Sequence, residues 1–344
     1  MKEGTQAGAS GEVRELECIE QPNCVACGEG GETALEGLED RLSGVSGLWS
    51  ISSCPRPSCG TAWLNPRPVD ADLSLAYKSY FTHGARALES KKMGLFGRGA
   101  LKLLRLADSL IRRALGIDSA RRRLNELFAD REGRGSLLEV GCGDGARLSK
   151  WAEMGWEVLG QVVDSNAVET ALERGVNVKL GDLKSLSLSS GQFDMVAGNH
   201  VVEHVSEPAV FLSECYRLLK PGGVLVLTNP NPESRGRDRW GGCWFGWDPP
   251  RHLNLFTPAG LGRLTEGAGF ETERAFTSSV RAHSFARGSI ENEEFGGHVM
   301  GRQVHWWVYL RALVFLYSSW LSFRDKSGSG EETVLIVRRP ELET

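Results

Sequence analysis

Beyond residue 131 the chain switches repeatedly between two hydrophobic periods. Short apolar runs at Leu137–Val140, 156–163, Val176–Leu180, Phe193–Ala197 and Val224–Thr228 read as buried strands. Between them lie amphipathic stretches: one after Gly145 with Leu148, Trp151 and Ala152 at helical spacing, and one from Asn166. A third, Pro208–Leu219, stops at Pro221-Gly222-Gly223. Strands alternating with helices at this spacing predict an α/β, doubly wound parallel sheet whose ligands bind at the carboxyl ends of the strands. A last apolar run near Glu332–Val337 completes that sheet. The preceding chain lacks this rhythm. Residues 16–68 read as turns and short strands, including Leu48–Ser52, and 69–130 as a helical linker or cap. Residues 1–15 are polar and glycine-rich, which predicts a disordered tail and no signal peptide.

The first strand ends in Leu137-Leu138-Glu139-Val140-Gly141-Cys142-Gly143-Asp144-Gly145. Glycines there let the backbone close on a ligand, and the helix beyond offers free N–H groups and a positive dipole end. Gly141-x-Gly143-x-x-Ala146 by itself also fits a dinucleotide fingerprint. Glu139 changes the picture: a pyrophosphate has no use for a carboxylate, whereas a ligand carrying an ammonium and a sulfonium does. The run resembles the first motif, Glu/Asp-x-Gly-x-Gly-x-Gly, of the class I S-adenosylmethionine-dependent methyltransferases. That resemblance implies a Rossmann-like, mostly parallel seven-stranded sheet over residues 131–344, with a helical insertion near 300–323. It implies cofactor binding by Glu139, Gly141, Gly143 and Gly145, by Asp182 and Leu183 on the adenine side, and by Asn199 after the fourth strand. The acid expected to hold the ribose falls on Val162 in one register and on Asp164 in another; Asp164 equally suits a helix N-cap.

Composition narrows the class. The chain has 344 residues and a net charge of −4, which argues against a general nucleic-acid binder and suits a cytoplasmic enzyme. Of the eight cysteines, Cys24-Val-Ala-Cys27-Gly and Cys54-Pro-Arg-Pro-Ser-Cys59-Gly form two knuckle-like pairs. Together they can offer four thiolates to one structural zinc, whose binding would supply much of the folding energy of a module this small. With no secretory signal expected, metal is favoured over disulfides. The module, Leu64-Asn65-Pro66-Arg67-Pro68, and Asp248-Pro249-Pro250-Arg251-His252-Leu253 together resemble a bacterial subgroup of these methyltransferases associated with sugar, cell-envelope and secondary-metabolite biosynthesis. The implied acceptor is a small molecule or a glycan- or lipid-linked group.

Methyl transfer is an in-line displacement, so the protein must align the acceptor and take its proton. Residues 231–252 read as a long loop carrying arginines and tryptophans; Arg251, Trp244 and Trp247 are the expected substrate contacts, and His252 the leading general base. The other reading has Arg251 and His252 pin the loop by hydrogen bonds. His200, Glu203 and His204 form a competing catalytic set. Related quinone O-methyltransferases carry a Glu-x-x-Glu-His metal group there, with His200 replacing the first acid. His-x-x-Glu-His also matches an inverted zinc-protease pattern, but that needs a helix where a strand-to-turn passage is expected here.

Two segments raise a membrane question. Residues 98–123 mix arginines with leucines, and 304–323 are almost wholly apolar and aromatic. Arg311 at the centre of the second costs roughly 2.5–3.5 kcal/mol in a bilayer, and a sheet strand must follow it. Peripheral contact, an acceptor-pocket cover or burial in a helical cap therefore fits better than a span. The rival to an enzyme is a methyltransferase-like binding protein without catalysis.

Overall fold

The computed structural model describes residues 16–77, 95–126, 135–297, 304–323 and 328–341. The expected tail at 1–15, part of the 69–130 linker and residues 300–303 lie outside them. Seven strands build the main sheet: β1 (Ser136–Val140), β2 (Glu157–Val162), β3 (Val178–Leu180), β4 (Phe193–Asn199), β5 (Leu219–Pro230), β6 (Glu271–Ser278) and β7 (Glu332–Arg338). Their spatial order is β3-β2-β1-β4-β5-β7-β6. Pairings from β3 to β5 are parallel, and β7 runs antiparallel to both neighbours. The sheet is therefore the doubly wound, Rossmann-like one expected.

Strand periodicity sorts the core into two layers. Leu138 and Val140 join Leu212, Leu218 and Leu261 on one face, under the helices Pro208–Leu218 and Pro258–Gly267. Leu137 joins Leu148, Trp151 and Met195 on the other, under the helix Ala146–Glu153. Leu137 and Leu138 are both wholly buried; cutting either to alanine removes about 2–5 kcal/mol. Glu139 follows Leu137 in the alternation. A carboxylate thus enters an otherwise apolar strand on the helix Ala146–Glu153 side.

The cysteine-bearing segment does not stand apart. Its sheet runs Glu32–Leu38, Trp49–Ser53, Ala62–Leu64, and takes its fourth strand, Asn254–Leu255, from the chain after β5. Cys24, Cys54, Cys59 and Trp63 share a core with Phe256 and Leu261. The segment read as the 231–252 loop contains a short helix, Arg235–Trp240, because Ser234 accepts a capping bond from the Arg237 N–H. Thr257 caps Pro258–Gly267 in the same way. The 69–130 region supplies the helices Leu95–Ala114 and Ile117–Glu126; between β6 and β7 stand Ala282–Phe295 and Trp306–Phe323.

Candidate active site and cysteine cluster

In the spatial order of strands, connections leave β1 in one direction and β4 in the other, so the turn after β1 and the end of β4 border the crevice where such sheets bind ligands. Gly141, Gly143 and Gly145 have φ of 65°, 54° and 72°, a region in which a side chain is strained. Close approach adds to this: a Cβ on Gly141 would sit 2.6 Å from Val201, and one on Gly145 2.8 Å from Val176. Gln161 ties the turn down. Its side chain accepts from the Gly141 N–H at 3.0 Å and donates to the Gly181 carbonyl, joining the turns after β1 and β3. Sequence reasoning passed over Gln161, although a glutamine inside the apolar 156–163 run was a visible signal.

Glu139 is 3% exposed. Burial pushes its carboxyl up to about 7, Arg147 opposing and Asp144 adding to the rise. Arg147 Nε lies 3.6 Å from Glu139 Oε1, while Oε2 has no hydrogen-bond partner among the described residues. A buried acceptor left unmade costs about 1–3 kcal/mol, so this oxygen fits a site completed by a donor from a ligand.

At the end of β2, Asp164 takes the cap position of the helix Ser165–Glu173: its Oδ1 accepts from the Asn166 backbone at 2.9 Å and from its side chain at 3.0 Å. Val162 is packed with Cys142 and Ala167. Asp164 is therefore the helix N-cap, the second of the two roles its position suits. Asp182 caps its own turn through the Ser185 N–H, beside the buried Leu183. Asn199 Oδ1 accepts from the Thr228 hydroxyl at 2.9 Å.

His200 sits at φ 55°, held between two acids: Nδ1 is 3.0 Å from Glu203 Oε1 and Nε2 is 2.8 Å from Glu332 Oε1. Burial works against a charged ring, but the two carboxylates outweigh it and lift His200 to about 9. Both ring nitrogens then donate, which makes His200 a fixed cation and not a proton acceptor. Arg281 approaches Glu332 at 3.4 Å. Arg147, Arg281 and Glu332 were not anticipated; the acid pair Glu331-Glu332 opening an apolar strand was the available cue.

Around the next turn, His204 Nδ1 lies 2.9 Å from the Tyr77 hydroxyl and 3.1 Å from the Arg251 carbonyl. Burial, with His252 adding to it, lowers His204 to about 4, so it is neutral. The His204 and His252 rings are 4.7 Å apart. His252 Nδ1 donates to the Gly246 carbonyl at 2.7 Å, which fixes the tautomer with a lone pair on Nε2. One ligand atom from each of Glu203, His204 and His252 falls within 4.8 Å of the others, so the catalytic candidates gather in one place.

Three expected substrate contacts need correction. Arg251 is wholly buried, with its guanidinium divided between Asp40 (2.6 and 2.9 Å) and Asp248 (2.6 Å). Although burial opposes the charge, Asp248 and Asp40 raise its pKa above the ordinary arginine value. Its donors are spent joining the N-terminal segment to the 248–252 turn. Trp244 and Trp247 are 1% and 4% exposed and stack edge-on within a core; their ring N–H groups go to Glu331 and the Gly241 carbonyl. These three side chains are packed within the loop.

The four knuckle cysteines converge, each Sγ within 4.8 Å of the others. Cys24 and Cys59 are 3.7 Å apart, Cys27 and Cys54 3.4 Å. Thiolates about 2.3 Å from a tetrahedral zinc stand about 3.8 Å from one another, so the donor set fits that ion. Cys18 is outside this cluster and exposed.

Comparison with known proteins agrees with this geometry. Residues 112–275 match a family model described as a methyltransferase domain. A protein of Mycolicibacterium smegmatis named as a probable S-adenosylmethionine-dependent methyltransferase is 36% identical over 143 residues, 40% of this chain and 52% of that one. A ubiquinone biosynthesis O-methyltransferase of Cereibacter sphaeroides is 32% identical over 124 residues, 33% of this chain and 49% of its own. The crystal structure of an Archaeoglobus fulgidus SAM-dependent methyltransferase aligns with a TM-score of 0.44 and 21% identity, covering 67% of this chain and 98% of that one. The chain thus spans about half the length of the two curated relatives.

Proposed function

We propose that the protein transfers a methyl group from S-adenosylmethionine to a hydroxyl on a small-molecule, sugar- or lipid-linked acceptor, and that Cys24, Cys27, Cys54 and Cys59 hold one structural zinc. Glu139 carries the reading: a buried carboxylate with an unpartnered oxygen, beside three left-handed glycines at the crevice of a doubly wound sheet. When bound, the cofactor supplies an electrophilic methyl on a sulfonium. Glu139 would take its ammonium, Asp164 its ribose, and Asp182 with Leu183 its base. His252 Nε2, the lone pair left by the bond to Gly246, would accept the acceptor's proton. His200 would hold Glu203 and Glu332 in place as a cation. An oxygen acceptor is supported by the relative named as an O-methyltransferase.

Titration calorimetry with S-adenosylhomocysteine tests the reading. The wild-type protein should bind it, and Gly143→Val should abolish binding while leaving circular dichroism unchanged. Normal binding by the variant would refute the loop assignment, and no binding by the wild type would refute the function.

A further inference from the structure

The helix Leu95–Ala114 turns two apolar faces in opposite directions. One is inside: Leu101 is 6% exposed, and Asp108 is buried where it accepts from the Tyr309 and Tyr317 hydroxyls of the helix Trp306–Phe323. The other faces out. Leu103, Leu106 and Leu110, at spacing i, i+3, i+7, are 71%, 62% and 61% exposed, so they form one line along the helix. Lys102, Arg105 and Arg113 are exposed along one flank of that line. Asp108, the sole acid in the helix, is the residue turned inward. The next helix, Ile117–Glu126, adds exposed Arg121, Arg122 and Arg123. Leucines outside, cations beside them and the acid withdrawn is the distribution that an interfacial helix needs.

We propose that this face is a docking surface for an anionic lipid bilayer. The helix would lie in the headgroup plane with Leu103, Leu106 and Leu110 entering the acyl boundary, and the flanking cations would reach lipid phosphates from extended stems. Among the described residues no helix is long and apolar enough to cross a membrane; the surface is one for lying on. Leu310, Val314 and Leu321 leave a second exposed apolar line on the helix Trp306–Phe323, which packs on the first. Charge complementarity selects lipid over a second copy of the chain: two copies meeting on this face would bring the same cations together, whereas an anionic surface neutralises them. This inference is independent of the methyltransferase reading.

Sedimentation of the full chain with vesicles tests it. The protein should pellet with phosphatidylglycerol vesicles, far less with phosphatidylcholine vesicles, and less at high salt. The L103S/L106S/L110S variant should lose about tenfold or more of the partitioning, with unchanged melting temperature and unchanged S-adenosylhomocysteine affinity. Should that variant misfold, K102E/R105E/R113E serves instead, and must lose the preference for the anionic lipid. The proposal is overturned if the wild type ignores both vesicles, binds both equally, or binds as well after either set of substitutions. It is also overturned if light scattering shows a dimer that L103S/L106S/L110S converts to monomer.

Discussion

A carboxyl that ionises near neutrality changes charge across the range in which enzymes are assayed, and Glu139 is such a group. With its pKa at about 7, it is about nine-tenths ionised at pH 8 and about one-tenth at pH 6. In the proposed role only the ionised form would take the cofactor's ammonium, so S-adenosylhomocysteine should bind about tenfold more weakly at pH 6 than at pH 8. Glu139→Gln should bind weakly at both, and calorimetry at the two pH values decides it. His252→Ala should leave that affinity alone and lower turnover of the true acceptor by about 10²–10⁴-fold. Turnover within a few-fold of wild type would remove His252 as the base. His200 makes a prediction of opposite sign to that of an acid. Its folded pKa, about 9, stands above the free value of 6.5, so its contribution is complete below pH 6.5 and lost as pH rises through 9. That contribution is on the order of 3 kcal/mol. Melting temperature should therefore fall between pH 7 and pH 9.5 in the wild type and fall less in His200→Gln.

At the scale of elements, the cysteine-bearing segment and the chain after β5 are one device. Asn254–Leu255 pairs with Ala62–Trp63, the Leu64 N–H donates to the Leu253 carbonyl at 3.0 Å, and the Thr257 hydroxyl donates to the Cys59 carbonyl. His252 is thus flanked by residues tied to the module. Purified protein should carry about one zinc per chain. Chelation should loosen the 248–257 stretch, raising its amide exchange and lowering turnover, while S-adenosylhomocysteine affinity at the glycine turn stays near wild type. Equal exchange in metal-free protein would show that the zinc does not position the loop. This coupling also marks where sequence reading stopped. Strand periods at Leu137–Val140 and Phe193–Ala197 were legible because alternate residues face two apolar layers. The cysteine spacing was legible because two knuckles suffice for four ligands. Contacts over long chain separations leave no periodic trace, so Asp40 beside Arg251, and Glu332 beside His200, were out of reach. Arg251 and the two tryptophans were misplaced for a related reason: cationic and aromatic residues mark ligand sites and buried loop cores alike.

Over the whole molecule, the Asp40–Arg251–Asp248 group ties the N-terminal segment to the 248–252 turn after β5. Arg251→Met leaves two carboxylates buried without their cation, which should cost about 3–5 kcal/mol. The shared core of Cys24, Cys59, Phe256 and Leu261 further predicts a single urea transition seen equally by tryptophan fluorescence and circular dichroism; two separated transitions would show that the segment folds alone. A different consequence follows from the position of β7. Last of the sheet's strands in the chain, it lies between β5 and β6 in space and brings Glu332 to His200. A chain emerging from the ribosome therefore makes the glycine turn, the histidines and the residues of β6 before it makes β7, the strand through which β6 joins the sheet. Until residues 332–338 arrive, β5 presents a bare backbone edge and β6 has no strand to pair with, both open to any neighbouring nascent chain, and His200 lacks one of its two acids. Chaperone demand should accordingly be greatest late in synthesis, and ribosome-stalled chains ending before Glu332 should be the most prone to aggregate.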